Sequence, residues 1–430
     1  MAQSPFQLFQ QARLIDPTTG LDEVGDLLVE DGAIAARAPH LDPPPGAEVR
    51  DCRGLVIGPG LVDLYSQSGE PGFESRETLA SLAAAATAGG FSRLALLPTT
   101  QPAIDNAAQL TQQRSFQLQP RQSGQSGQAQ LYFWGALTQG AEGQHMGALW
   151  ELAEAGAVGF CDGRPIENLA LVRRLLEYGG QRSLPIALWA RDRRLAGQGV
   201  AREGPLALQL GLPGDPELSE TAALASLIEC VRATGTPTHA MRLSTARGVE
   251  LLGQAKAAGI PITASVSWMH LLFSNRDLDH YDPHLRLDPP IGTPRDQAAL
   301  IEATRTGLID AIAIDHSPHS YEEKTVAFGV APPGAIGLEF AFPLLWQRFV
   351  APGLWPALTL WERLSRFPAH YLHQSAPSLA IAQSEWLLFD PQATWPASPA
   401  HLKSLSANSP FVGSKIRGSI LQLHVSDRRF

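Results

Sequence analysis

Between residues 61 and 315, short β-type runs alternate with helical stretches eight times, a pattern that few folds accommodate. The predicted strands cover 61–65, 91–97, 130–134, 157–161, 186–189, 239–242, 262–266 and 310–315. Between them lie helical patterns such as "RETLASLAAAATAGG", "IENLALVRRLLEYGG", "ELSETAALASLIECVRATG" and "TARGVELLGQAKAAG", several of them closing on glycine as helices often do. Eightfold alternation predicts an α/β chain of the (β/α)8 TIM-barrel class, whose chemistry sits at the carboxyl ends of the strands.

The two ends of the chain have another texture. "FQLFQQARLID" and "GDLLVEDGAIAA" alternate apolar and polar residues between Pro/Gly turns, and "EWLLFDPQATW" through "GSILQLHVSDRRF" does the same. These segments predict antiparallel strands in a small β-rich domain, built from residues 1–57 and 378–430, flanking a barrel domain over 58–377. Neither end gathers acid, base or ligand residues, so its expected role is structural. The stretch "QQRSFQLQPRQSGQSGQAQ" reads as a solvated low-complexity loop.

Composition narrows the function. With 44% hydrophobic residues in 430, the chain can fill a sizeable core. A net charge of −9 without any Lys/Arg block argues against nucleic acid as a partner. Cys52, Cys161 and Cys230 form no CxxC pair, which fits core residues in a reducing compartment. No run approaches the roughly 20 apolar residues of a membrane span, so the expected location is the cytoplasm.

The first strand runs into "VDLYSQSGEPG". With "LIDPTTGLDEVGDLLVEDGAI", "GLVIGPGLVDL", "GAVGFCDGRPI", "HLLFSNRDLDHYDPHLRLDPP", "IDAIAIDHSPHSYEEK" and "GAIGLEFAFPLL", it makes a nearly end-to-end set of landmarks. In these the chain resembles the dihydroorotases of the cyclic amidohydrolase superfamily. The resemblance implies a small β-rich domain closed onto a metal-dependent barrel, and an enzyme interconverting N-carbamoyl-aspartate and dihydroorotate. It also implies zinc, because imidazole and carboxylate suit that ion and bound zinc brings water's pKa from about 15.7 to near 7.

The resemblance fails where the metal would be held. The strand-one histidines are Tyr65 and Gln67, the strand-five histidine is Trp189, and the strand-six histidine is Arg242. The paired aspartates after strand four are reduced to Asp162, and only Asp315, the acid/base position on strand eight, stands in place. Substrate positions are altered too: a carboxylate-binding arginine is Gly69, its neighbouring asparagine is Thr99, and Asp288 and Gly292 replace Asn and Arg. Loss of metal and substrate contacts together implies a dihydroorotase homologue, linked to pyrimidine biosynthesis, without hydrolase activity or cofactor, its Asp315 vestigial.

A buried carboxylate without its metal needs another cation, so Arg242 is expected to pair with Asp315, with Tyr65 adding a hydrogen bond. Trp189 is expected to fill the emptied metal cavity. A rebuilt site from Asp315, His316 and His319 requires neighbouring strand residues to converge, against their alternation. His239, His270, His280 and His284 match no ligand spacing and read as surface or loop residues. The resemblance implies a non-catalytic scaffold or regulatory subunit, in a homo- or hetero-oligomer, with aspartate transcarbamoylase as the partner. Two other readings stay open: an active amidohydrolase with a remodelled site, and a small-molecule sensor.

Overall fold

The computed structural model describes residues 5–118 and 127–425. The chain opens with β1 (Phe6–Asp16), β2 (Leu21–Glu30), β3 (Ala33–Ala38), β4 (Glu48–Asp51) and β5 (Val56–Pro59). Parallel strands follow: β6 (Leu61–Ser66), β7 (Phe91–Leu96), β8 (Gln130–Phe133) and β9 (Ala187–Trp189). After a two-residue pair, β10 (Ala201–Arg202) and β11 (Gly214–Asp215), come β12 (Thr238–Met241), β13 (Ile262–Ser267) and β14 (Ala311–Ala313). The chain ends in β15 (Trp386–Pro396) and β16 (Lys415–His424).

Strands β1 to β5 join β15 and β16 in one sheet drawn from both ends of the chain. The expected antiparallel pairing holds for β1 with β2 and β15 with β16, but β1 pairs in parallel with β4 and β5. Its core packs Phe9 edge-on to Trp386 at 5.2 Å, beside Leu14, Leu27, Ile57 and Leu388. Arg93 on β7 reaches Glu385, just before β15, through two bonds of 2.9 and 2.7 Å and so ties this sheet to the parallel strands.

The parallel strands pair in order β6–β7–β8 and β9–β12–β13–β14. The predicted strand at 157–161 is not continuous; Phe160 alone bridges Gly135 and Ile186, and thereby joins the two groups. Gly159 brings the backbone so near the Trp134 indole that a side chain there would collide with it, and regular pairing is lost locally. At the other edge, Asp315 N–H donates to Tyr65 O at 3.1 Å, Gln67 N–H to His316 O at 2.8 Å, and Ile314 N–H to Asp63 Oδ1 at 2.8 Å. The last parallel strand thus lies against the first. Leu64, Ala95, Trp134, Ala187, Met241 and Ala313 form one buried cluster between these strands.

Two strands end earlier than their apolar runs predict. β12 stops at Met241 and β14 at Ala313 because Arg242 and Asp315 adopt left-handed backbone angles, φ 58° and 49°. The helix Ala107–Leu118 takes up the beginning of the expected low-complexity loop, while 119–126 lie outside the described residues. Among the described residues no helix is long and apolar enough to cross a membrane.

Candidate functional site

At the carboxyl ends of the parallel strands the turns after β12 and β14 aim Arg242 and Asp315 at each other. Arg242 Nε donates to Asp315 Oδ2 and Nη2 to Oδ1, both at 2.7 Å, while Nη1 reaches Gly163 O at 2.9 Å. The pair is bidentate, the geometry in which arginine binds carboxylate most strongly. The guanidinium lies 4.5 Å from the Trp189 ring and 5.5 Å from the Tyr65 ring, so its faces meet aromatic surface. Burial opposes its charge, but the charge and hydrogen bonds of Asp315 outweigh burial and raise its pKa.

Tyr65 does not bond the Asp315 carboxylate as expected. Its buried hydroxyl pairs with Ser265 Oγ at 2.8 Å and accepts the Arg242 backbone N–H at 3.2 Å. That second bond braces the left-handed turn. The ring also stands beside Arg242, so Tyr65 supports the ion pair through the arginine.

The remaining altered positions scatter around this pair. Gln67, Thr99, Trp189 and Asp288 line the same cavity. Asp288 pairs with Arg191 at 3.1 Å. Asp162 is turned away: its oxygens accept from Thr138 N and Oγ1 at 3.0 and 2.5 Å, and burial raises its pKa to about 6. Gly69 has no room for a side chain, since a Cβ there would run into the backbone of Phe73 and Glu77. A Cβ at Gly292 would meet Asp296.

The histidines do not converge. His316 Nε2 faces Glu77 at 3.4 Å and its Nδ1 accepts from Gly337 N, whereas His319 Nε2 faces Pro333 O at 3.0 Å. His239 and His270 are buried rather than at the surface, His239 against the Tyr371 ring at 4.8 Å. His284 pairs with Asp282, and His280 is exposed. Among the described residues, no three His, Cys, Asp or Glu side chains are grouped to hold a metal ion. The donor set at the strand ends does not fit zinc: both Asp315 oxygens hold a guanidinium, and its neighbours are Tyr65, Gln67 and Trp189.

The cavity measures about 330 Å³, within the range of small-molecule sites. Its lining also includes Arg164, Arg193 and His270, which the sequence reading passed over as site residues. Arg164 and Arg193 follow the strand runs ending at 161 and 189, and that position was the available signal. A second buried network, Arg191 and Arg202 on Asp215 at 2.8 and 3.5 Å, was not legible because Arg202 and Asp215 lie on the two-residue strands β10 and β11, too short to leave a period in the sequence.

Residues 54–247 match the family described as Dihydro-orotase-like. A probable dihydroorotase-like protein of Synechocystis is 42% identical, the match covering 96% of this chain and 98% of that one. A dihydroorotase of Pelotomaculum thermopropionicum is 35% identical over 96% and 95%. Among solved structures, the L-hydantoinase of Arthrobacter aurescens superposes with a TM-score of 0.83 at 20% identity, covering 97% of this chain and 94% of that one. This likeness extends the shared fold across both the terminal sheet and the parallel strands.

Proposed function

The chain belongs to the dihydroorotase-like family, and from that membership we propose that it is a homologue, linked to pyrimidine biosynthesis, that has given up hydrolysis and serves as a scaffold or regulatory subunit. In this reading the parallel strands form a (β/α)8 barrel over 58–377, capped by the sheet of 1–57 and 378–430, and the protein works in the cytoplasm. One observation carries the loss of hydrolysis: the guanidinium of Arg242 holds both oxygens of Asp315 at 2.7 Å. Both oxygens of that carboxylate are thus turned to a guanidinium and not to a metal, and without a metal almost no hydroxide exists near pH 7 to attack a ring amide.

The partner follows from family resemblance: aspartate transcarbamoylase, assembled with this chain in a hetero-oligomer. Tagged chain is expected to co-purify that enzyme from the host, and its clean isolation alone would count against the partnership. The catalytic half is tested by elemental analysis after expression with added zinc, alongside a dihydroorotase assay in both directions. Far less than one zinc per chain and no turnover are expected. One or two ions per chain, with turnover abolished by Asp315→Ala, would overturn the reading.

A further inference from the structure

A second cavity, of about 210 Å³, opens where β15 and β16 meet the segment that precedes the helix Ala341–Leu345, and it shares no lining residue with the cavity at the strand ends. Its volume lies below the range of drug-sized sites, so only a small molecule fits. One wall carries Glu339, which is 8% exposed. Its carboxylate accepts the backbone N–H of Lys403 at 2.9 and 3.1 Å and that of Ser404 at 3.2 Å, and among the described residues no cation lies within ion-pair distance of it. Glutamate is rarely so buried without a charge partner. Burial pushes its pKa up to about 7 against those backbone bonds, and the charge of Glu77 adds to the rise. Lys403 and His401, both exposed, line the same cavity. The Lys403 side chain makes no hydrogen bond or ion pair among the described residues, and the His401 ring bonds Ser398 Oγ through Nδ1 at 2.8 Å. Trp395 and Ile420 supply apolar wall.

We propose that this cavity binds a small apolar amino acid, its ammonium group turned to Glu339, its carboxylate to Lys403 and its side chain to Trp395 and Ile420. A bare amine brings a second cation beside Lys403, and a bare carboxylate meets Glu339 with like charge. A zwitterion answers both groups at once. The site also has a route to the rest of the molecule. Glu339 holds the backbone of Lys403 and Ser404, and Ser404 Oγ donates to Glu77, which faces His316 at the strand ends. An ammonium beside Glu339 favours its charged form and so strengthens its bonds to residues 403 and 404. No residue of the Arg242–Asp315 site takes part, so the inference stands whether or not that site hydrolyses anything.

Titration calorimetry on the full chain tests this with three probes of one carbon skeleton: L-leucine, isoamylamine, which lacks the carboxylate, and isocaproate, which lacks the ammonium. L-Leucine is expected to bind at least about tenfold more tightly than either, the scale of one charge-assisted hydrogen bond. Lys403→Ala keeps the backbone N–H on Glu339; it is expected to weaken L-leucine about tenfold or more at an unchanged melting temperature, and to leave isoamylamine as it was. Glu339→Gln is expected to weaken L-leucine and to leave isocaproate as it was. Hydrogen exchange at the amides of Lys403 and Ser404 is expected to slow when L-leucine is added to the wild type. No heat from L-leucine at up to about 10 mM, equal binding of the amine or the carboxylate, or unchanged L-leucine affinity in Lys403→Ala would overturn the proposal. The lysine variant decides the matter even where Glu339→Gln fails to fold.

Discussion

Arg242→Met would strip both Asp315 oxygens of their donors at once. Removing one partner of a buried pair costs about 3–5 kcal/mol, because the other charge stays behind. Urea unfolding is expected to show a loss of that size, and Arg242→Met/Asp315→Leu to recover most of it. Gly69→Ala is the second test at this scale. With Phe73 and Glu77 backbone where a Cβ would lie, even alanine forces the loop apart, with an expected loss of about 1–3 kcal/mol by thermal melting. An arginine at this position is likewise excluded by the backbone.

At the scale of elements, the segment from 403 to 408 is strapped across the strand ends by buried acceptors. Glu77 accepts from Ser404 Oγ and Leu405 N, Glu339 from Lys403 N and Ser404 N, and Asn408 Nδ2 donates to Ser317 O at 2.9 Å. Asn408 Oδ1 in turn accepts the His319 amide at 3.0 Å. Asn408→Ala leaves that amide without its acceptor, so hydrogen exchange is expected to accelerate at His319 while the amides of β13 keep their protection. Periodicity showed the parallel strands and the helices Leu169–Gly179 and Leu218–Thr234, whose patterns are local. It did not show the strap, whose bonds span more than 60 residues and leave no period in the sequence. The Arg242–Asp315 pair was legible because a lone carboxylate at the strand ends demands a cation; Arg164 and Arg193 carried only their position after the strand runs as a signal, which the sequence reading did not use.

For the whole molecule, buried titratable groups pull stability in opposite directions with pH. Burial lowers His239 to about 3, and His270 and His319 to about 4. Below about 6.5 the unfolded chain takes up protons at these rings that the native chain refuses, so their contribution is full above that pH and is lost as pH falls. Asp63 and Glu339, raised by burial to about 7, act oppositely: their native forms hold protons more tightly, and their contribution fades as pH rises through 7. A difference measurement isolates one term. Between pH 7.5 and 5 the wild type is expected to lose about 2 kcal/mol more than His239→Gln in urea titrations. Equal losses would mean that His239 is protonated in the native state.

The interlock of Arg242, Asp315, Tyr65 and Trp189 also fixes a direction in time. Placing histidine at 242 alone discards a buried ion pair and gains no metal site, because the neighbours of Asp315 and residue 242 include Tyr65, Gln67 and Trp189, none of them a histidine. That substitution lowers stability and returns nothing in metal chemistry. On the proposed non-hydrolytic reading, a return to hydrolysis therefore runs through poorly folded intermediates, and the ion pair commits the fold to other uses.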